Sequence, residues 1–312
     1  MKVAICIPTF RRPDGLRRLL ISLDGLVFTR LPTPELHIFV IDNDGTDPLV
    51  ARHGDIATWS RLPLAYVVET RQGLTFARNA ALAAVDRTFD AIAFIDDDEW
   101  AEPQWLEELL LKLTSTTAAA VQGPVRPVFA RPPAGWMQTD RYFEVGPFVD
   151  GERLLTAASG NCLLRKSVLD AQGMTFDPRF NRSGGEDVAF FDRLCSAGHV
   201  IVAAADAVAY ETVPEARMSP GWIVRRSFRS GHTLGTISLS APGRSAVAVR
   251  LMKSLRRIAF GIGQAVFAGP FSRRRFFRGA TNIAFGAGSI AGILRHDVDH
   301  YGATPATSKP AT

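Results

Sequence analysis

Three cysteines in 312 residues, Cys6, Cys162 and Cys195, with no Cys-x-x-Cys pair, exclude a disulfide framework and a zinc module, and they favour a reducing compartment. Glycine signatures for phosphate are missing too. Neither Gly-x-Gly-x-x-Gly nor Gly-x-x-x-x-Gly-Lys-Ser/Thr follows the first apolar run, so any phosphate must be held by other means. No apolar stretch is long enough to cross a bilayer: the charge-free runs 258–271 and 279–294 reach about 21 and 24 Å as helices, against about 30 Å of hydrocarbon. An export signal is not expected either, because Val3–Ile7 precedes the Arg11-Arg12 pair and stops at Pro8.

Negative charge is scarce in one region only. From Glu215 onward there are 15 Lys and Arg against 3 Asp and Glu, which leaves 21 against 28 for residues 1–214. The overall charge of +5 therefore hides an acidic body and a basic end. An acidic body argues against nucleic acid as a partner, whereas basic residues interleaved with apolar runs suit an anionic membrane surface.

What is present alternates. Val3–Ile7, residues 37–41, residues 64–68 and residues 91–95 are short apolar runs of the kind buried on both faces of a sheet. Between them lie helical patterns: Leu16, Leu19, Leu20 and Leu23 share one face, 75–85 is Ala-rich, and 103–113 follows the fourth strand. Alternating strand and helix predicts an α/β fold with a mostly parallel sheet and a ligand beyond the carboxyl ends of its strands. Those ends carry Pro8-Thr9, Asp42-Asn43-Asp44, Glu69-Thr70-Arg71 and Asp96-Asp97-Asp98.

Three acidic strand ends repel one another. Two unit charges about 4 Å apart cost about 4 kcal/mol at an effective dielectric of about 20, and a divalent cation removes that cost. A strand-like period of two would send Asp96 and Asp98 to one side, where a hard Mg²⁺ or Mn²⁺ fits one or two carboxylates completed by diphosphate oxygens. The alternative is a loop that merely solvates its acids or caps the next helix. A second acidic centre, Glu186-Asp187, follows Gly184-Gly185 and opens a helical stretch. It too could serve only as a cap.

Taken in order, Ile5-Cys6-Ile7-Pro8-Thr9-Phe10, Val40-Ile41-Asp42-Asn43-Asp44, Gly73-Leu74-Thr75-Phe76-Ala77-Arg78-Asn79, Phe94-Ile95-Asp96-Asp97-Asp98-Glu99, Ser159-Gly160-Asn161 and Gly184-Gly185-Glu186-Asp187 resemble glycosyltransferase family 2. The resemblance covers residues 3–235 and implies the GT-A nucleotide-diphospho-sugar fold, with a nucleotide-binding half at 1–100 and an acceptor half at 101–235. It implies that Pro8, Thr9 and Asp42 line a nucleoside pocket, that Asp96 approaches the ribose, and that Asp98 binds the metal. Arg11, Asp44, Arg71, Arg78, Asp97 and Arg229 complete the implied donor site. Asp187 would be the general base of an inverting transfer from a nucleoside-diphosphate sugar to a glycan or lipid-linked acceptor in cell-surface polysaccharide synthesis. On the acceptor side it implies Asn161 and Glu186.

Other readings rest on the residues alone. Trp136, in the Pro- and aromatic-rich stretch 125–151, could form a platform for a sugar or pack the loop onto the body. Arg225 and Arg229 share a helix face and could clamp a diphosphate. His232 could be a third metal ligand or an ordinary loop residue. Set beside the resemblance, the sequence departs from the Gln-x-x-Arg-Trp signature of processive polysaccharide synthases, which argues against processive synthesis.

Residues 246–300 are expected to form a basic, apolar helical hairpin lying peripheral or re-entrant at the cytoplasmic membrane face, with Ala284, Gly288 and Gly292 as a small-residue packing stripe. A buried helix pair or a homo-oligomer contact is the competing reading, and 303–312 is expected to be a disordered tail. Two other functions stay open from the residues: a sugar-nucleotide nucleotidyltransferase, and an inactive membrane scaffold of the same fold.

Overall fold

The computed structural model describes residues 1–181, 183–240 and 244–295. The expected tail, 303–312, and the last residues of the basic region, 296–300, lie outside them.

The first half builds the nucleus of the sheet. Strands β1 (Lys2–Thr9), β2 (Glu35–Asp42), β3 (Leu64–Val68) and β4 (Ala91–Phe94) alternate with helices α1 (Pro13–Asp24), α2 (Leu49–His53) and α3 (Leu74–Ala84). Their order, β3-β2-β1-β4, is parallel throughout, as the alternation predicts. β1 has seven of its eight residues buried, and the pleat divides them. Val3, Ile5 and Ile7 meet Leu16, Leu19, Leu20 and Leu23 of α1, while Ala4 and Cys6 meet Ala77 and Ala81 of α3. Each fully buried leucine contributes about 1.5–3 kcal/mol of transfer free energy.

The second half extends the sheet and adds a smaller one. After β5 (Glu99–Ala101) and α4 (Trp105–Ser115) come β6 (Ala120–Gln122), β7 (Val125–Phe129), α5 (Gly135–Thr139), β8 (Arg153–Leu154), β9 (Cys162–Arg165), α6 (Lys166–Gln172), α7 (Glu186–Ser196), β10 (Ile201–Ala203) and β11 (Ala209–Val213). β9 enters antiparallel between β4 and β6, and the eight-stranded sheet ends in β10 and β8. Because β9 runs backwards, its first residue, Cys162, lies at the same sheet end as the acidic termini of the parallel strands. A three-stranded sheet, β5-β11-β7, stands at that end.

Helices α8 (Pro220–Ser240), α9 (Arg244–Gly263) and α10 (Arg273–Ile293) form the C-terminal layer. The boundary expected at residue 235 falls inside α8, because α8 and α10 pack along their whole length. A Cβ added at Gly288 would lie 2.0 Å from the Phe228 carbonyl oxygen, and one at Gly292 would lie 2.2 Å from that of His232. The small-residue stripe thus lets two backbones touch. Residues 258–271, expected to be one apolar helix, divide into the end of α9, a π-helical stretch (Gln264–Ala268) and a 3-10 turn (Gly269–Phe271).

One buried carboxylate ties the loop before β2 to α4. Glu107 is fully buried, and its Oε1 accepts hydrogen bonds from the backbone N–H groups of Thr29 (2.7 Å), Arg30 (2.6 Å) and Leu31 (2.9 Å). Burial alone would raise its pKa, but these donors hold it down at about 2. A depressed folded-state pKa contributes stability above the unfolded value that is lost as pH falls through the folded one. Glu107→Gln should therefore lower Tm at neutral pH, and its difference from the parent should shrink as pH drops from about 4.5 towards 2. Thermal unfolding across that range checks it; a constant difference would contradict the assignment.

Candidate active site

The acidic strand ends converge as the alternation requires, but not by the expected period. β4 ends at Phe94, so Asp96, Asp97 and Asp98 follow the strand in a turn, Asp96 facing Arg78 while Asp97 and Asp98 share Arg12. Asp97 reaches back to the end of β1. Its Oδ2 accepts from Thr9 Oγ1 (2.9 Å) and the Phe10 N–H (3.3 Å), and its Oδ1 accepts from Arg12 Nη1 (2.9 Å). The same Arg12 nitrogen donates to Asp98 Oδ2 at 2.8 Å, and Arg217 approaches that oxygen at 3.6 Å. The backbone of Asp98 is fixed separately: its carbonyl accepts from the Thr212 N–H of β11 and from Arg18 Nη2, both at 3.2 Å.

Asp96 turns inward to Arg78, whose side chain is only 3% exposed. Arg78 Nη2 donates to Asp96 Oδ1 at 3.2 Å while Nη1 donates to Glu186 Oε1. This guanidinium joins the two acidic centres, which lie 90 residues apart in the chain. Burial alone would lower the pKa of Arg78, but Asp96, Glu186 and Asp187 together drive it up. Burial raises the pKa of Asp96, and both Asp98 and Asp187 raise it further, so one carboxylate senses both centres. Arg78 was expected to contact the donor; it is instead an internal clamp. Glu186, expected on the acceptor side, is 5% exposed and belongs to the same clamp.

Asp187 starts α7, and its Oδ1 accepts from the Val188 N–H at 2.7 Å. Gly184 and Gly185, at φ +75° and +89°, supply the turn before it. Asp187 is half-buried, whereas its neighbour Glu186 is enclosed.

The loops after β2 and β3 are rigidly laced. Asp44 Oδ2 accepts from Arg11 Nε at 2.5 Å, which lowers the Asp44 pKa and steadies Arg11 at φ +55°. Asn43 joins the loops, donating to the carbonyls of Glu69 (3.0 Å) and Arg71 (2.8 Å). Arg71 forks onto Glu69 at 3.0 and 2.8 Å and remains mostly exposed. Asp42 requires a correction. It is fully buried, and its carboxylate accepts from the Asp44 N–H (3.0 Å), the Leu49 N–H (2.7 Å) and Tyr66 Oη. It shapes the loop rather than lining a pocket.

Asn161 is likewise structural. At φ +51° and fully buried, it accepts from Trp105 Nε1 (2.6 Å) and donates to the carbonyls of Pro124 and Ala207 (both 2.8 Å), so it cannot meet an acceptor. Gly160 beside it serves the site differently. A Cβ there would lie 2.7 Å from Glu99 Oε1 and 3.3 Å from Asp96 Oδ2, so only glycine lets this strand start press against the acidic turn. Trp136 also packs: Phe277 of α10 stacks on it at 4.3 Å and Tyr142 meets it edge-on. The packing reading holds and one face of the ring is closed to a sugar.

Sequence reasoning missed several residues. Arg12, Arg217 and Glu211 carry no motif, and Glu99 stands in the acidic run without an expected role; chain reversals bring them together. Glu99, 5% exposed beside Asp96 and Asp98, has its pKa driven well up by burial and then by Asp96. Glu211 is raised by burial and then by Asp98, while Arg217 pairs with it. Arg226 sits where Arg225 was expected to work. Arg225 is exposed and folds back towards Gly221, whereas burial, opposed by Glu211 and aggravated by Arg229 and Arg217, lowers the pKa of Arg226. Three guanidiniums crowd one wall of the cleft, an arrangement relieved by an anion.

The donor set suits a hard cation held by one or two carboxylates, with Asp98 the half-open member. Among the described residues no group of three His, Cys, Asp or Glu could hold a metal. His232, considered as a third ligand, belongs to no such group. It lies buried within α8, with its backbone against Gly288 and Gly292, and is no loop residue. A cavity of 470 Å³ lies at the opposite sheet end, lined by Met1, Phe89, Asp90 and Lys166; it shares none of these groups.

Comparisons with known proteins agree with this geometry. The profile of the family described as Glycosyl transferase family 2 matches residues 4–173. The chain is 31% identical over 310 residues to the succinoglycan biosynthesis protein ExoM of Rhizobium meliloti, covering 99% of this chain and 98% of that protein. It is 28% identical over 257 residues to the pre-mycofactocin glycosyltransferase of Mycobacterium tuberculosis, covering 78% of this chain and 49% of that one. Among solved structures, residues 1–349 of S. aureus TarS in complex with UDP give a TM-score of 0.53 at 16% identity, covering 93% of this chain and 91% of the other. The TarS complex with UDP-GlcNAc gives the same values.

Removing the clamp leaves the buried Glu186 and the part-exposed Asp96 without their cation. Arg78→Ala should cost about 3–5 kcal/mol of folding stability, and Arg78→Lys, which can serve only one carboxylate well, should recover part of it. Urea unfolding of the two variants measures this; a loss below about 1 kcal/mol in Arg78→Ala would contradict the clamp.

Proposed function

Because the chain belongs to glycosyl transferase family 2, we propose that it is an inverting transferase moving a sugar from a nucleoside-diphosphate sugar to a hydroxyl of a glycan or lipid-linked acceptor, in polysaccharide biosynthesis. The observation that carries this reading is the joining of the Asp96–Asp98 turn to the Glu186–Asp187 helix start through one buried arginine. A nucleotidyltransferase loses its ground with the family assignment, and an inactive scaffold would have no use for two intact acidic centres.

The donor's nucleoside lies over the carboxyl ends of β1, β2 and β3, where Pro8, Thr9, Arg11, Asp44 and Arg71 form the floor and rim. Asp97 is itself engaged with Thr9 and Arg12 and acts by holding that floor. Burial, together with Asp98 and Asp96, pushes its pKa up to about 6 despite Arg12 and Thr9. The diphosphate lies against Arg217, Arg226 and Arg229, whose mutual repulsion its negative charge relieves. Asp98 is the residue that would hold Mg²⁺ or Mn²⁺, and the cation would act there as a Lewis acid on the departing diphosphate.

Asp187 takes the proton from the acceptor hydroxyl as that oxygen attacks the anomeric carbon, and the carbon–diphosphate bond breaks on the opposite side. Its place in the first turn of α7, where its Oδ1 accepts from the Val188 N–H, fixes the direction of the carboxylate. Glu186 cannot substitute for it, being enclosed against Arg78. The placing of Asp187 therefore depends on the clamp.

Asp187→Asn should lower transfer by about 10²–10⁴-fold with donor affinity unchanged. Donor titration by calorimetry beside a transfer assay measures both; full activity would remove Asp187 from the mechanism. Asp98→Ala should weaken donor binding in the presence of Mn²⁺ but little in its absence. Equal affinities under both conditions would contradict the metal role.

A further inference from the structure

The basic C-terminal region presents a surface that nothing in the cleft chemistry uses. α9 and α10 lie antiparallel: Gly261 backs onto Gly279, and Gly286 backs onto Ser254 and Ile258. This contact occupies one side of α9 only. On the other, Met252 (65% exposed), Leu255 (53%), Ile262 (49%) and Val266 (58%) recur at helical spacing as an apolar stripe without a partner among the described residues. At the tip, Phe267 and Phe271 are 79% and 89% exposed.

Cations border this stripe. Lys253 and Arg256 flank it, and Arg273 and Arg275 follow the tip, all of them exposed. Residues 216–296 contain no Asp or Glu, so the described part of this region has no carboxylate of its own to offset them. Not every arginine here is available. Arg257 stacks on Phe285 at 3.6 Å, and Arg274 and Arg278 pair with Asp140, which fastens the hairpin to the body.

No helix of the described residues is long and apolar enough to cross a membrane. An apolar stripe with cationic borders and an aromatic tip is instead the composition of a helix lying in the plane of an interface. A second copy of this chain would fit poorly, since it would set uncompensated cations against cations. We propose that the outer face of α9, with the Val266–Phe271 tip, docks on the surface of an anionic lipid bilayer, the apolar side chains entering the headgroup boundary and the lysine and arginines contacting lipid phosphates.

The inference does not depend on the reading of the cleft, and its test needs no sugar. The full chain is co-sedimented with phosphatidylcholine vesicles and with vesicles in which a third of the lipid is phosphatidylglycerol. Binding is expected to be at least about tenfold tighter to the anionic vesicles and to weaken with salt. The double variant Lys253→Glu/Arg256→Glu should lose about tenfold or more, and Phe267→Ser/Phe271→Ser should lose binding with Tm unchanged, since both phenylalanines are exposed. Three outcomes would overturn the proposal: no sedimentation with anionic vesicles, binding indifferent to both double variants, or a dimer by light scattering that the phenylalanine variant dissociates while vesicles go unbound.

Discussion

The site depends on a buried ion pair that is nearly a triad. Arg78 projects from the first helix after β3 and ends between Asp96 and Glu186, one from each half of the chain. Buried charge is expensive, and a lone carboxylate in either place would protonate or push its loop towards water. With the guanidinium present, the loop after β4 and the start of α7 share one cation and are fixed against each other. The two residues that face the cleft, Asp98 and Asp187, are each one or two positions from a clamped neighbour.

This arrangement separates tasks among six carboxylates. Asp42 and Glu186 are buried and hold loops; Asp96 is held by Arg78 with its side chain 31% exposed; Asp97 ties the turn to β1; Asp98 and Asp187 remain half-exposed. The adjoining wall carries Arg217, Arg226 and Arg229, with Arg217 paired to Glu211 and 3.6 Å from Asp98. A nucleoside diphosphate with its cation would add negative charge beside these guanidiniums and positive charge beside Asp98. The body also reaches its C-terminal layer through this wall, because Arg226 donates to the Tyr142 carbonyl at 2.8 Å while Trp136 and Asp140 of the same loop meet α10.

Much of the fold was legible because buried parallel strands and their helices write periodic patterns. The leucines of α1 and the apolar runs of β1 to β4 fall within a residue or two of the observed elements. The site was legible only as types at strand ends. Which oxygen meets which donor depends on where β4 stops, and it stops early enough to turn Asp96 towards Arg78 while Asp97 and Asp98 share Arg12. Asn161 shows the limit most clearly. Its motif marks the site, yet its amide is consumed by Trp105, Pro124 and Ala207, partners that only the antiparallel entry of β9 brings near. Arg12, Arg217 and Glu211 could not be found from spacing, since chain reversals rather than periodicity assemble them. On α8 the helical period was right and its phase was wrong: Arg226, not Arg225, turns inward with Arg229.

The account stands on Asp98 and Asp187 serving one donor molecule. A crystal structure with a nucleoside-diphosphate sugar and Mn²⁺ tests this most directly. The account expects anomalous scattering from manganese beside Asp98, diphosphate oxygens against Arg217 and Arg226, and the anomeric carbon facing the Asp187 carboxylate. A donor seated with Asp187 turned away from its sugar, or a metal bound elsewhere on the molecule, would contradict it.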